Sequence, residues 1–222
     1  MGFNVAIDGP AGAGKSTIAK TVAKTMQFIY VDTGAMYRTI GFYMLRNGIS
    51  VDDQEAVCAH LSEVDVTLGY EDGVQQVYLN GENVSASIRT QEVGEAASKV
   101  SAMPPVRAAL LDLQRNLAKS ADILMDGRDI GTVVLPDADV KIFLTASSLV
   151  RAKRRYKELV EKGADCDLLT IQKEIEERDY RDSHREIAPL KQADDAILVD
   201  SSDMTIEEVV AEIIRLIGEK RK

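Results

Sequence analysis

The stretch Gly9-Pro10-Ala11-Gly12-Ala13-Gly14-Lys15-Ser16 decides the fold. It reads Gly, four residues, Gly-Lys-Ser, which is the P-loop spacing without a mismatch. The pattern needs glycines because successive backbone N–H groups must turn inward to form an anion nest, where a Cβ would clash. Lys15 can then reach the β- and γ-phosphates of a nucleotide, and Ser16 can offer its hydroxyl to Mg2+. The helix that starts here, with Thr17 in its first turn, points its positive end at the same phosphates. Phe3, Val5 and Ile7 alternate like a short strand before the loop, and Ala19, Val22, Ala23 and Met26 recur at helical spacing after it. The order strand, phosphate loop, helix is therefore expected at the start of an α/β domain.

Length and charge bound what the rest can do. A chain of 222 residues buries a full α/β core as one domain with a small insert. A net charge of -9 argues against a broad nucleic-acid or membrane surface, so cationic groups for a nucleotide must be concentrated locally. Cys58 and Cys166 lie far apart without metal-site spacing and read as free thiols of a reducing, cytoplasmic setting. Met1 leads directly into the first strand with no charged leader or long apolar run, which reads as an intracellular protein without a membrane segment. His60 and His184 have no metal partner pattern.

Along the chain, Phe28 to Asp32 reads as a second buried strand, followed by Thr33-Gly34-Ala35 and a helix from Met36 to near Gly48. Ligands of open parallel sheets sit beyond the carboxyl ends of the strands, so Asp32, Thr33 and Arg38 are placed on the rim of the P-loop. From Val64 the rhythm changes: Val64, Val66 and Leu68 alternate with polar residues, as do Val77 and Leu79 after the Glu71-Asp72-Gly73 turn. These are antiparallel strands of an inserted lobe, with Asn80-Gly81 a hairpin signal and Glu82 to Ser85 a third short strand. Helices over 91–102 and 106–119, parted by Pro104-Pro105, return to the core.

Ile123-Leu124-Met125 then runs into Asp126-Gly127-Arg128-Asp129, which sets three charges at the end of a buried strand beside the P-loop. An acid there is placed as a Mg2+-water ligand or a base, although an Asp can equally cap a turn. After the strand Val140 to Leu144, a helix over 148–162 carries Arg151, Lys153, Arg154, Arg155 and Lys157, and a second helix from Thr170 carries Arg178, Arg181 and Arg185. Such charge runs are ordinarily solvated faces, here with Glu174, Glu176, Glu177 and Asp179 interleaved. In a P-loop protein, however, a basic helix pair joined at Gly163 is a candidate lid, and the spacing of Arg178, Arg181 and Arg185 allows all three to share one face. The strand over 196–200 and a final helix from Thr205 close the core. No Asn-Lys-x-Asp guanine-reading motif and no acidic pair of a mechanical ATPase is present, so a small-metabolite kinase is favoured. A nucleotide-binding regulatory module and a kinase with another acceptor remain open at this point.

Nearly the whole chain resembles bacterial cytidylate kinases of the P-loop nucleoside monophosphate kinase family. The resemblance is carried by Asp8-Gly9-Pro10, Asp32-Thr33-Gly34-Ala35-Met36-Tyr37-Arg38, Ile88-Arg89-Thr90-Gln91-Glu92-Val93, the run from Asp126 to Val134, and Glu177-Arg178-Asp179-Tyr180-Arg181-Asp182. It implies an α/β P-loop NTPase fold with a five-stranded parallel sheet flanked by helices, an antiparallel β insert lobe at about 64–105, and a helical lid at about 151–180. It also implies transfer of the ATP γ-phosphoryl to CMP or dCMP with Mg2+, by a monomer with no nucleic-acid or membrane partner. Thr33, Arg38 and Arg128 would hold the acceptor phosphate, with Asp126 beside them on the substrate side. Ser98, Arg107 and Asp129 would read the cytosine, and Arg178 and Asp182 would approach the sugar. Arg181 and Arg185, with the basic helix from Arg151, would serve the phosphates on closure. Lys15, Arg128, Arg181 and Arg185 form the implied catalytic set, and Gly9 through Thr17 with Arg154 the donor site. The family's serine is replaced by Thr33, which keeps the hydroxyl, and Ser16 keeps the Mg2+ ligand where some members carry glycine.

Overall fold

A computed structural model describes residues 2–221. The chain opens with β1 (Asn4–Asp8), α1 (Lys15–Met26), β2 (Ile29–Asp32) and α2 (Thr33–Arg46). β1 buries Val5, Ala6 and Ile7 completely, so it is covered on both faces. α2 begins three residues before the expected start, because the Asp32 carboxylate accepts from the Ala35 N–H at 2.9 Å and caps the helix there. The short α3 (Gln54–His60), capped in the same way by Asp53, was not foreseen. Its seven residues bury only Val57, too little to mark a period.

The insert follows as a hairpin of β3 (Val66–Glu71) and β4 (Val74–Leu79) with β5 (Glu82–Asn83), all antiparallel. Both turns, at Asp72-Gly73 and Asn80-Gly81, place two successive residues at positive φ, the hand that matches the twist of paired strands. The third strand spans two residues rather than four. The insert has no separate core. Val66, Val77, Leu79, Val84 and Ile88 join Met36 and Ile40 of α2 and Val106 and Leu110 of the later helices in one apolar cluster.

α4 (Gln91–Val100), α5 (Pro104–Ser120), β6 (Ile123–Gly127), β7 (Val140–Thr145), α6 (Ser148–Glu161), α7 (Leu168–Ser183), β8 (Ile197–Asp200) and α8 (Ile206–Lys220) complete the order. Pro104 opens α5 at a position where a missing N–H costs nothing. Thr205 and Glu208 start α8 with a reciprocal capping box. The five-stranded sheet runs β2-β6-β1-β7-β8, every pair parallel. One face packs on α2, α4 and α5. The other, from Val5 and Ile7, packs on Ile18 and Val22 of α1 and Val209, Ile213 and Ile217 of α8.

Register is what assembles the site. Asp8 lies opposite Gly127, Ile7 opposite Asp126, and Asp126 opposite Asp32, so three carboxylates finish at one level beyond the strand ends. No described helix is long and apolar enough to cross a membrane. Where α2 meets α4, a side chain on Gly41 of α2 would begin 3.0 Å from the Ala97 nitrogen and 3.1 Å from the Ala96 Cβ of α4. Gly41→Leu is therefore expected to force these helices apart and cost about 1–3 kcal/mol, read as a lower midpoint in urea unfolding.

Candidate active site

The phosphate loop lies flush against β7. Gly9 adopts φ +151, and a Cβ there would sit 1.9 Å from the Leu144 carbonyl oxygen, so only glycine fits. Lys15 is buried and its ammonium donates to the Gly9 and Pro10 carbonyls at 2.7 Å each. Burial, and then the Arg128 charge, hold its pKa well below the usual lysine range. Ser16 Oγ donates to Asp126 Oδ2 at 3.1 Å, and Tyr30 Oη donates to Asp126 Oδ1 at 2.9 Å. Burial and the neighbouring Asp32 push the Asp126 carboxyl up to about 6, against the pull of Lys15 and of the two hydroxyls. Ser16 and Asp126 thus present hard oxygen donors side by side, a set that suits Mg2+. Among the described residues no three His, Cys, Asp or Glu side chains group as a protein-only metal cage.

Two arginines one turn apart on the basic helix α6 differ. Arg154 donates to the Ser201 carbonyl at 2.8 Å, and its guanidinium lies 3.9 Å from where a side chain on Gly14 would begin, so it borders the loop. Arg151 is buried, and its donors are committed to the Ala146 carbonyl (2.8 Å), the Ala11 carbonyl (3.0 Å) and the Asp179 carboxylate of α7 (2.5 and 3.0 Å). It ties the phosphate loop to α7. Thr17 is exposed in the first turn of α1.

Beyond the loop a second charge cluster forms around Asp182, which is 1 % exposed. Its carboxylate receives Arg128 Nε at 3.1 Å and pairs with Arg185. Burial would raise its pKa, but Arg128, Arg185 and Arg178 outweigh that and hold it below the usual range. Arg178 is half-buried, with its Nε enclosed and without a hydrogen-bond partner among the described residues. Burial and the adjacent Arg128 bring its pKa down to about 10. Arg38 is also depressed by burial, and it stands over Gly94 of α4, where a side chain would begin 3.8 Å from its Nη2. Deeper in, Arg107 pairs with the buried Asp129, donates to the Ser101 carbonyl at 3.2 Å and lies over the Tyr37 ring. Burial raises the Asp129 pKa against the opposing pull of Arg107 and Arg185. Ser98 sits one turn before Ser101 on the same helix, and its carbonyl accepts the Ser101 hydroxyl.

One expectation needs correction. Arg178, Arg181 and Arg185 do not share one helix face, because α7 ends at Ser183 and Arg185 lies past it. Within the helix Arg178 is half-buried beside the buried Asp182, and Arg181 is exposed. Thr33 is buried and its hydroxyl donates to the Asp126 carbonyl at 2.8 Å, which braces the end of β6.

Several contributors escaped the sequence reading. Both Asp8 oxygens accept backbone N–H groups, from Ile130 at 2.8 Å and Gly131 at 2.7 Å, and this clamps the wide turn Ile130–Val134 that follows Arg128 and Asp129. Its place at the end of β1 was the available signal. Tyr30 gave none, because an aromatic in a strand looks ordinary, and Arg151 was read with the basic helix rather than as a strut to Asp179.

A glycine-rich anion loop before a helix, an oxygen pair for a cation, and a facing arginine cluster define a P-loop phosphotransferase. The sequence profile of the family described as cytidylate kinase matches residues 5–219. The cytidylate kinase of Lactobacillus johnsonii is 52% identical over 220 residues, 99% of this chain and 96% of that protein. That of Leuconostoc mesenteroides subsp. mesenteroides is 53% identical, covering 97% and 96%. The chain belongs to the cytidylate kinase family and is a nucleoside monophosphate kinase, which implies ATP as phosphoryl donor. Among solved structures, an uncharacterized protein from Eubacterium ventriosum ATCC 27560 aligns with a TM-score of 0.52 at 12% identity, over 97% of this chain and 98% of that one, a likeness of fold.

The Asp126 environment predicts a pH signature. A carboxyl whose folded pKa lies above its unfolded value binds its proton more tightly in the native state, so stability falls as pH rises from about 4 to about 6. Asp8, also pushed up to about 6 by burial against its two amide hydrogen bonds, adds a slope of the same sign. Asp126→Asn is expected to flatten that fall and raise the melting temperature at pH 7.5, while turnover drops about 10- to 100-fold. Thermal melts across pH 4–8 together with a steady-state assay check both halves.

Proposed function

We propose that the protein transfers the γ-phosphoryl group of ATP to CMP and dCMP, giving ADP and the cytidine diphosphate. The observation that carries this reading is the crowding of Arg38, Arg128, Arg178 and Arg185 on the open side of the phosphate loop, with the Arg178 Nε enclosed and without a partner among the described residues. Like charges so close repel, and a dianionic phosphate placed among them removes that cost. Arg38 and Arg128 are assigned to the acceptor phosphate, with Thr33 bracing the strand end beside them. Arg178 and Asp182 are assigned to the sugar side.

An acceptor phosphate oxygen attacks the γ-phosphorus as the bond to the β–γ bridging oxygen breaks, and the electron pair leaves with ADP. The attacking oxygen is already ionised, so no general base is required. In such in-line transfer through a loose transition state, the protein's task is positioning and charge stabilisation. Lys15 serves the β- and γ-oxygens, while Arg128 and Arg185 serve the transferring group. Arg181, exposed on α7, is assigned to join them as the helix pair closes. Ser16 and Asp126 would hold Mg2+, which when bound spreads the phosphate charge. The helix pair α6 and α7 is assigned the lid, with Arg154 on the donor side excluding water as it closes.

Base choice is assigned to Asp129 and Arg107, with Ser98 alongside. A carboxylate accepts from the exocyclic amine of cytosine, and a guanidinium donates to the acceptor edge of the base. Uracil carries a carbonyl in place of that amine, which repels a carboxylate. Family membership and the relatives' names support this reading, together with the enclosed Asp129–Arg107 pair beside Tyr37.

The direct test is ADP release from Mg-ATP with CMP, dCMP, UMP, AMP, GMP and dTMP supplied separately. Turnover confined to CMP and dCMP is expected, and equal turnover on a purine monophosphate rejects the assignment. Lys15→Ala should lower kcat by about 10²–10³-fold with little change in melting temperature. Asp129→Ala should narrow the CMP over UMP ratio in kcat/KM by about 10- to 100-fold; an unchanged ratio would place base reading elsewhere.

A further inference from the structure

The β insert grips the core sheet through side chains rather than through strand pairing. β2 is the edge strand of the parallel sheet, and its partner β6 occupies only one side. In an extended strand the N–H and C=O groups of alternate residues point to opposite sides, so Tyr30 and Asp32 turn theirs outward together. Three of those outward groups are taken by the insert. Tyr70 Oη donates to the Tyr30 carbonyl at 3.1 Å, Gln75 Oε1 accepts the Asp32 N–H at 2.8 Å, and Gln75 Nε2 donates to the Asp32 carbonyl at 3.4 Å. Tyr70 and Gln75 face each other across the β3–β4 hairpin, so one cross-strand pair makes all three contacts.

What this pair holds is the hinge between β2 and α2. The Asp32 carboxylate caps α2 through Ala35 N–H and receives Arg89 Nη1 at 3.3 Å from the far end of the insert. Thr33, next in the chain, ties β2 to the end of β6, and Arg38 projects from the following turn. We propose that Tyr70 and Gln75 are positioning residues for the acceptor phosphate: by fixing the main chain at residues 30–32 they set the start of α2 and so aim Arg38. The inference rests on the assignment of Arg38 to the acceptor phosphate. It gives the insert a specific task, because donor-side groups on α1 and α6 have no part in this contact. The Arg89–Asp32 pair, in which Arg89 is half-exposed and Asp32 buried, bears on the carboxylate and not on these main-chain contacts.

The test is equilibrium binding of CMP and, separately, of ATP to the full chain by calorimetry, with Gln75→Leu, Tyr70→Phe and Arg38→Ala compared with the parent. Gln75→Leu keeps the approximate volume but removes both amide contacts. It should weaken CMP about 5- to 10-fold and leave ATP affinity unchanged, with the same split in KM values. Tyr70→Phe, which removes one hydroxyl from a half-buried site, should weaken CMP in the same direction by a smaller factor, and it carries the test if Gln75→Leu does not fold. Gln75→Asn, too short to reach both groups, should not restore affinity. If Arg38→Ala weakens CMP while Gln75→Leu and Tyr70→Phe lower only the melting temperature, the positioning role is overturned and the phosphate assignment stands. If Arg38→Ala leaves CMP binding intact, the assignment itself falls. Equal losses for CMP and ATP also overturn the proposal, since they mark a general loosening of the fold.

Discussion

The structure depends on keeping opposite charges out of water at the carboxyl ends of three neighbouring strands. Parallel register brings Asp8, Asp126 and Asp32 to one level, and the phosphate loop sets Lys15 among them. Each group is costly to bury alone. Together they are tolerable because every carboxylate has donors: backbone amides for Asp8, two hydroxyls for Asp126, a helix start and Arg89 for Asp32. The raised carboxyl pKa values and the depressed lysine pKa show that the compensation is incomplete. That residual strain is the electrostatic preorganisation a phosphotransferase uses, since charges already fixed in place need no reorganisation during reaction.

Arginines in this fold divide into two kinds by what their donors already touch. Arg151 spends its guanidinium on two backbone carbonyls and Asp179, and so acts as a strut between the phosphate loop and α7. Arg178 and Arg38 sit against like charges, with burial lowering the pKa of each. The first kind stabilises geometry, and the second is the kind proposed above to receive a phosphate. Both kinds lie on or beside the same helix pair, so movement of α6 against α7 would be felt at the loop through Arg151. A chain of net charge -9 thereby concentrates positive charge where a nucleotide phosphate must go.

The insert shows how an added hairpin can serve a site it does not enter. Its apolar side merges with the core of α2, and its polar tip closes the open edge of β2. An unpaired edge is a liability in any sheet, and here it is covered by two side chains instead of another strand.

The P-loop was legible because its chemistry is local: glycines for the turn, Lys15 and Ser16 at fixed offsets, and a strand and helix on either side. The parallel strands, the Asp-Gly and Asn-Gly turns and the Asp126-Gly127-Arg128-Asp129 rim were legible for the same reason, as short-range patterns with a mechanism. What the sequence could not determine was anything set by rotation about a helix or by register across the sheet. Arg181 and Arg178 are three residues apart and differ in fate because α7 turns one toward Asp182 and the other to solvent. Thr33 reads as a free hydroxyl until the neighbouring strand brings the Asp126 carbonyl within 2.8 Å. Asp8, Tyr30, Gln75 and Arg151 acquire their roles only from partners far along the chain, and such contacts leave no period or spacing in a single sequence.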